Sequence, residues 1–184
     1  MDPRRENMKY REVIDILGMV PLEEEGGLWA KTICSEDVLK GGRVDGYPKD
    51  RPLYGAIYYL LTPDTFSRMH RLTSNEIWFY HRGPAVRLLL IHPDGRSEVK
   101  LLGQDLKRGE RPQILVPRGT WQGASPDPES CLSYASEGDQ IFTLMSTSMT
   151  PEYLDSDFET ATFDELRQYV RPDEEELLKL LTGE

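Results

Sequence analysis

The sequence predicts an all-β domain, a sandwich or barrel, on three observations. From about residue 28 onward, short apolar or alternating runs recur, each bounded by Gly, Pro, Asn or Asp. One connection, HPDGR at 92–96, is a hairpin turn with a mechanism, because Asp-Gly readily supplies the positive φ angles of a tight turn. Helical periodicity is confined to the two ends of the chain.

Taken in order, Tyr10, Val13, Ile14 and Leu17 share one helical face, so a short amphipathic helix is predicted over about 7–17. Gly18 supplies its stop and Pro21 lies just beyond. The strand candidates are LWAKTIC, YGAIYYLL, SRMHRL, EIWFY, AVRLLLI, SEVKLLG, PQILVP, CLSYAS and QIFTLMSTSM. Between the first two, GGRVDGYPKDRP (41–52) reads as a mobile loop beside the barrel. After the last strand, Thr162 and Glu165 make a capping box for TFDELRQYV, which Pro172 ends or kinks. PDEEELLKLL then reads as a second short helix, its acids placed where the helix dipole favours them. Both C-terminal helices, within about 162–182, are expected to pack on the barrel.

The chain has 184 residues, enough for one domain with a core, and no repeat or linker divides it. Asp and Glu number 32 against 22 Lys and Arg, which argues against a nucleic-acid backbone as partner. No run is long and apolar enough for a membrane span. The opening MDPRRENMKYREV lacks the apolar segment of a secretory leader, so a cytoplasmic setting is expected. Cys34 and Cys131 have no metal-ligand spacing and are expected to be free.

Two segments carry a resemblance. His70-x-Leu72-x3-Glu76-x6-Gly83, followed by Gly109-x7-Pro117-Arg118-Gly119-Thr120-Trp121-Gln122, resembles the paired motifs of the cupin superfamily: HxH-x3-E-x6-G, then G…PxG-x2-H. Within it, the chain is similar to the uncharacterised cupin-5 type (domain of unknown function 985). It shares Glu25-Gly26-Gly27, the AIYYLL run at 56–61, His70 to Trp78, and Pro117 to Gln122, over roughly residues 10–165. The stretch Leu28-Trp29-Ala30-Lys31 departs from that type's usual aromatic-aromatic-Arg-Glu. The resemblance implies a double-stranded β-helix (a jelly-roll barrel) as a single domain over 1–184, with its core at about 20–160. It also implies a homodimer, since cupins commonly pair edge to edge.

In the family pattern, histidines and the glutamate converge on a metal; here Leu72 and Gln122 stand at two ligand positions. His70, Glu76 and Gln122 are a poor donor set, so no metal and no other cofactor is expected. Side-chain alternation puts His70 with Leu72, Glu76 with Trp78 and Tyr80, and Thr120 with Gln122 on common faces. An inward pocket of these residues follows, floored by Leu72.

Metal-free cupins resembling the sugar-nucleotide 3,5-epimerases work with His, a carboxylate and Tyr. By that analogy His70, Glu76 and Tyr80 are the candidate catalytic residues, with Glu76 orienting the imidazole. Trp78, Thr120, Gln122 and Trp121 are candidate ligand contacts, the aromatics suiting a sugar ring. Glu25 is read either as a turn residue or as a pocket contact. Arg51 and Lys31 could meet an anionic substrate. His81, on the opposite face, is assigned to the surface. The expected function is an isomerase- or epimerase-like reaction on a carbohydrate or nucleotide sugar. A non-catalytic metabolite-binding module and a metal-dependent enzyme are the alternatives.

Overall fold

Each strand of the barrel starts where a turn residue releases the chain and runs until the next one. The computed structural model describes residues 9–184, so the first residues of the predicted 7–17 helix lie outside it. Helix α1 (Tyr10–Leu17) ends at Gly18, whose φ of 63° lets its N–H cap the Ile14 carbonyl. Next come β1 (Val20–Pro21), β2 (Leu28–Cys34), and the small pair β3 (Val38–Leu39) and β4 (Arg51–Pro52). The motif-bearing run follows: β5 (Gly55–Leu61), β6 (Ser67–Arg71), β7 (Asn75–Arg82), β8 (Val86–Ile91) and β9 (Ser97–Leu102). The barrel is completed by β10 (Gln113–Val116), β11 (Trp121–Pro126), β12 (Thr143–Thr150) and the short β13 (Glu159–Thr160). Helix α2 (Pro128–Leu132) sits between β11 and β12, and α3 (Phe163–Leu166) and α4 (Glu175–Thr182) close the chain.

The strands form two antiparallel sheets packed face to face, ordered β1-β2-β5-β12-β7-β10 and β13-β6-β11-β8-β9. This is the predicted jelly roll. Tyr59, Leu61, Trp78, Leu88, Leu90, Ile114 and Met145 fill the space between the sheets. The hairpin at 92–96 joins β8 to β9 with Gly95 at φ 84°. Outside the second sheet, Leu166, Leu177, Leu178 and Leu181 of the C-terminal helices pack on Met69, Leu89 and Ile91. Outside the first, Val13 and Met19 pack on Leu60 and Phe142. Burying such side chains contributes about 1.5–3 kcal/mol each before entropy is subtracted.

Two sequence expectations need correction. The CLSYAS run is not a strand: Asp127 accepts from the Ser130 N–H and Pro128 takes the first helical position, which starts α2 instead. Segment 41–52 is pinned rather than loose. Tyr47 is buried with its hydroxyl donating to the Thr73 carbonyl, and Asp50 accepts from the Gly41 N–H. Both cysteines are free.

Candidate functional site

The strand order sets the two motif segments side by side, with His70 and Gln122 in one sheet and Glu76 in the other. His70 lies on β6 with Gln122 directly opposite on β11. Glu76 lies on β7, paired with Val116 of β10 and Met149 of β12. His70, Glu76, Trp78 and Gln122 are all buried, none more than 6% exposed.

One amide links them. Trp78 Nε1 donates to Gln122 Oε1 at 3.0 Å and to Glu76 Oε2 at 3.2 Å. An indole N–H is only a donor, so this contact fixes which end of the Gln122 amide is oxygen. Gln122 Nε2 then faces Glu76 Oε2 at 2.6 Å and His70 Nε2 at 3.2 Å, donating to both. His70 Nε2 must therefore offer its lone pair, which puts the ring hydrogen on Nδ1. The other side of the ring agrees, because Nδ1 lies 2.7 Å from the Arg68 carbonyl, an acceptor only. Two independent contacts thus assign the same tautomer. His70 and Glu76 do not touch; Gln122 stands between them.

Glu76 borders a cavity of about 700 Å³ at one end of the barrel. Burial pushes its carboxyl above the ordinary range and the nearby charge of Glu25 adds to this; His70, Thr147 and Gln122 oppose it. Glu25 also lines the cavity, its carboxylate held by the Ser67 hydroxyl at 2.6 Å. The turn carrying it depends on Gly26, whose φ of 101° favours glycine and where a Cβ would collide with the Phe66 carbonyl. Its other walls include Trp29, Leu72, Thr147, Glu152, Tyr153 and Phe158, with the more exposed Glu23, Glu24 and Asp155 also bordering it. Burial and neighbouring acids, Asp155 first, push the Tyr153 hydroxyl up to about 12. Lys31 is the cavity's cation, 3.6 Å from Glu152.

Several predicted site residues lie elsewhere. His70 is not a cavity wall, because the Phe158 ring stacks on it at 5.2 Å between centroids and takes its place. Trp78 is core, edge-on to Tyr59 at 5.7 Å. Tyr80 shares the Glu76 face, but its hydroxyl donates to the Gly83 carbonyl at 2.5 Å, away from the cavity. Burial and the adjacent Tyr134 raise its pKa. Thr120 is buried with an unpartnered hydroxyl and does not reach the cavity. Trp121 faces outward under the Arg71 guanidinium, 4.5 Å from the ring centroid. Arg51 is spent on Asp157, with bonds of 2.7 and 3.2 Å, in a buried ion pair. His81 is exposed, as expected, beside Ser146.

Among known proteins, the chain matches the family model described as Cupin superfamily (DUF985) over residues 11–161. The chain belongs to this cupin family. The uncharacterized protein YML079W of Saccharomyces cerevisiae is 32% identical over 160 residues, covering 81% of this chain and 74% of the yeast protein. Two solved structures share the architecture along nearly their whole length. Protein SO0799 from Shewanella oneidensis matches with a TM-score of 0.76 at 27% identity, covering 95% of this chain and 98% of that one. A hypothetical protein from Leishmania major matches at 0.75 and 29%, covering 94% and 98%.

The metal implied by the wider cupin superfamily does not fit this DUF985 chain. The lone pair of His70 and the Oε2 of Glu76 both accept hydrogens of the same Gln122 amide, so that amide presents N–H rather than oxygen where donors would converge. Leu72 replaces a further donor. Among the described residues, no group of three His, Cys, Asp or Glu is spaced to hold an ion. Nor, among them, is any helix long and apolar enough to cross a membrane.

Proposed function

We propose that this cupin is a proton-transfer enzyme of isomerase type acting on a small molecule in the 700 Å³ cavity, with Glu76 as its acid–base group. One observation carries the reading: a carboxyl 94% buried, raised in pKa, wired to three side chains, borders an open cavity. A carboxylate made more basic by its surroundings is suited to taking a proton from carbon near neutral pH. Glu76 would remove a proton from a carbon beside a carbonyl, the electron pair passing to the carbonyl oxygen. Where that first carbon bears a hydroxyl, returning the proton to the former carbonyl carbon as the hydroxyl proton passes to the old carbonyl oxygen moves the carbonyl by one carbon and completes a one-base shift.

His70 acts here as a positioning residue. Its lone pair is occupied by Gln122, and through that amide it holds Glu76 in place. A two-base epimerisation would need a donor across the cavity; Tyr80 is not there, and Tyr153 is the cavity's tyrosine. A nucleotide sugar is a poor charge match, since its diphosphate would meet Glu25, Glu76 and Glu152 with Lys31 as the counter-charge.

The test is solvent exchange. The protein is incubated in D2O with a panel of neutral sugars and amino sugars, and each compound is weighed by mass spectrometry. At least one is expected to gain deuterium with the wild type, to remain unlabelled with Glu76→Gln, and to label more slowly with His70→Asn. A panel member that binds saturably yet never exchanges would make the cavity a binding module instead.

A further inference from the structure

We propose that the ligand of this cavity is a small organic cation, held through ammonium groups by Glu25, Glu76 and Glu152 against the rings of Trp29, Tyr153 and Phe158. The inference rests on the cavity being the working site and names what it takes.

Three separate features point the same way. The first is charge. Apart from Lys31, the ionisable groups on the walls are carboxylic acids and the Tyr153 phenol, and Lys31 is already paired with Glu152. The second is unused acceptor capacity on buried side chains. Both short bonds to Glu76 end on Oε2, and the Thr147 hydroxyl of the cavity wall is the carboxyl's further hydrogen-bonding neighbour. Glu152 Oε2 is buried with no hydrogen-bond partner, and its side chain is 13% exposed. That oxygen rests against Gly55; a buried carboxylate oxygen without a donor is costly, and turning the carboxyl to meet a ligand N–H would relieve that cost. The third is the walls themselves. Aromatic faces attract cations through the ring quadrupole, and this effect grows where water is excluded.

A metal ion is a poorer occupant than an organic one. The carboxylates come from the 22–27 turn, from β7 and from the segment after β12, and among the described residues they do not converge in a group that could hold an ion. Acids spread around a cavity match charges spread along a chain or ring. The combination fits an amine with several polar positions: an amino sugar also carries the carbonyl that proton transfer by Glu76 requires, and a polyamine probes the charge match alone.

Isothermal titration of the purified protein at 0.15 M KCl tests this, because screening at that ionic strength suppresses loose association with the acidic surface. The probes are spermidine and glucosamine, against magnesium chloride, glucose and UDP-glucose. At least one amine is expected to bind at a single site, with affinity falling at least tenfold in Glu152→Gln. Glu159→Gln, an exposed acid paired with Arg71 away from the cavity, is expected to leave it unchanged. If Glu152→Gln fails to fold, Trp29→Ala replaces it with the same expectation. Binding of glucose or UDP-glucose in place of the amines, equal amine affinity in the cavity variants and in Glu159→Gln, or displacement of the amine by equimolar magnesium would each overturn the inference. Deuterium exchange on a neutral sugar without amine binding would leave the role of Glu76 standing. Amine binding without exchange on any compound would do the reverse.

Discussion

The two ends of the barrel are built from the same strands and come to opposite ends. On β7, Glu76 and Tyr80 point to the same side, with Trp78 between them. Toward Glu76 the interior opens into an acid-lined cavity; toward Tyr80 it is filled by Val86, Leu88, Leu102 and Met145. Trp78 is the partition. Its ring closes the apolar half, and its one polar atom faces the wet half, where it orients Gln122. A strand can thus carry a working carboxyl and a purely structural tyrosine on one face, provided that something large separates them.

The largest expected effect breaks the wet end from outside. Arg51 and Asp157 form a buried ion pair that holds the segment carrying Tyr153 and Phe158. Arg51→Ala leaves Asp157 buried and unpaired, at an expected cost of about 3–5 kcal/mol in denaturant unfolding. A loss below about 1 kcal/mol would mean that the wall stands without the pair.

A smaller effect separates the ends by pH. Glu76 has a raised pKa in the folded state, so its contribution is fully present below its unfolded value and is lost as pH rises through the folded one. Wild type should therefore lose stability relative to Glu76→Gln as pH climbs from about 4.5, with a slope no steeper than about 1.4 kcal/mol per pH unit. Parallel stability curves for the two proteins would contradict the raised carboxyl.

The smallest effect tests the filled end. Tyr80→Phe removes one hydrogen bond, to the Gly83 carbonyl, while Tyr134 still donates there. A loss of about 1 kcal/mol is expected, with ligand binding unchanged. Altered binding would put the tyrosine back at the site.

This contrast explains what the sequence made legible. The alternation of β7 and the spacing of the two motifs correctly brought His70, Glu76, Trp78 and Gln122 together, because period-2 geometry fixes which side chains share a face. It said nothing of how far along that face a cavity extends. Four residues of strand span about 13 Å, so Tyr80 shares the side of Glu76 without sharing its surroundings. His70 was misplaced for another reason: Phe158, nearly ninety positions later, lies over it. Trp29, Glu152, Tyr153 and Phe158 had no pattern to betray them. Trp29 sits in the stretch that departs from the family's usual residues, and the rest follow β12 in a segment without alternation. Glu25 was the exception, since the paired glycines after it marked a turn that had to be tight.

Those late wall residues set an order of events during synthesis. Every strand of the barrel up to Thr150 can leave the ribosome while one side of the chamber is still missing, because Glu152, Tyr153 and Phe158 follow behind. A barrel whose strands have paired before that segment docks has its imidazole uncovered and its doorway unframed. Only the final stretch of chain turns an open trough into a room.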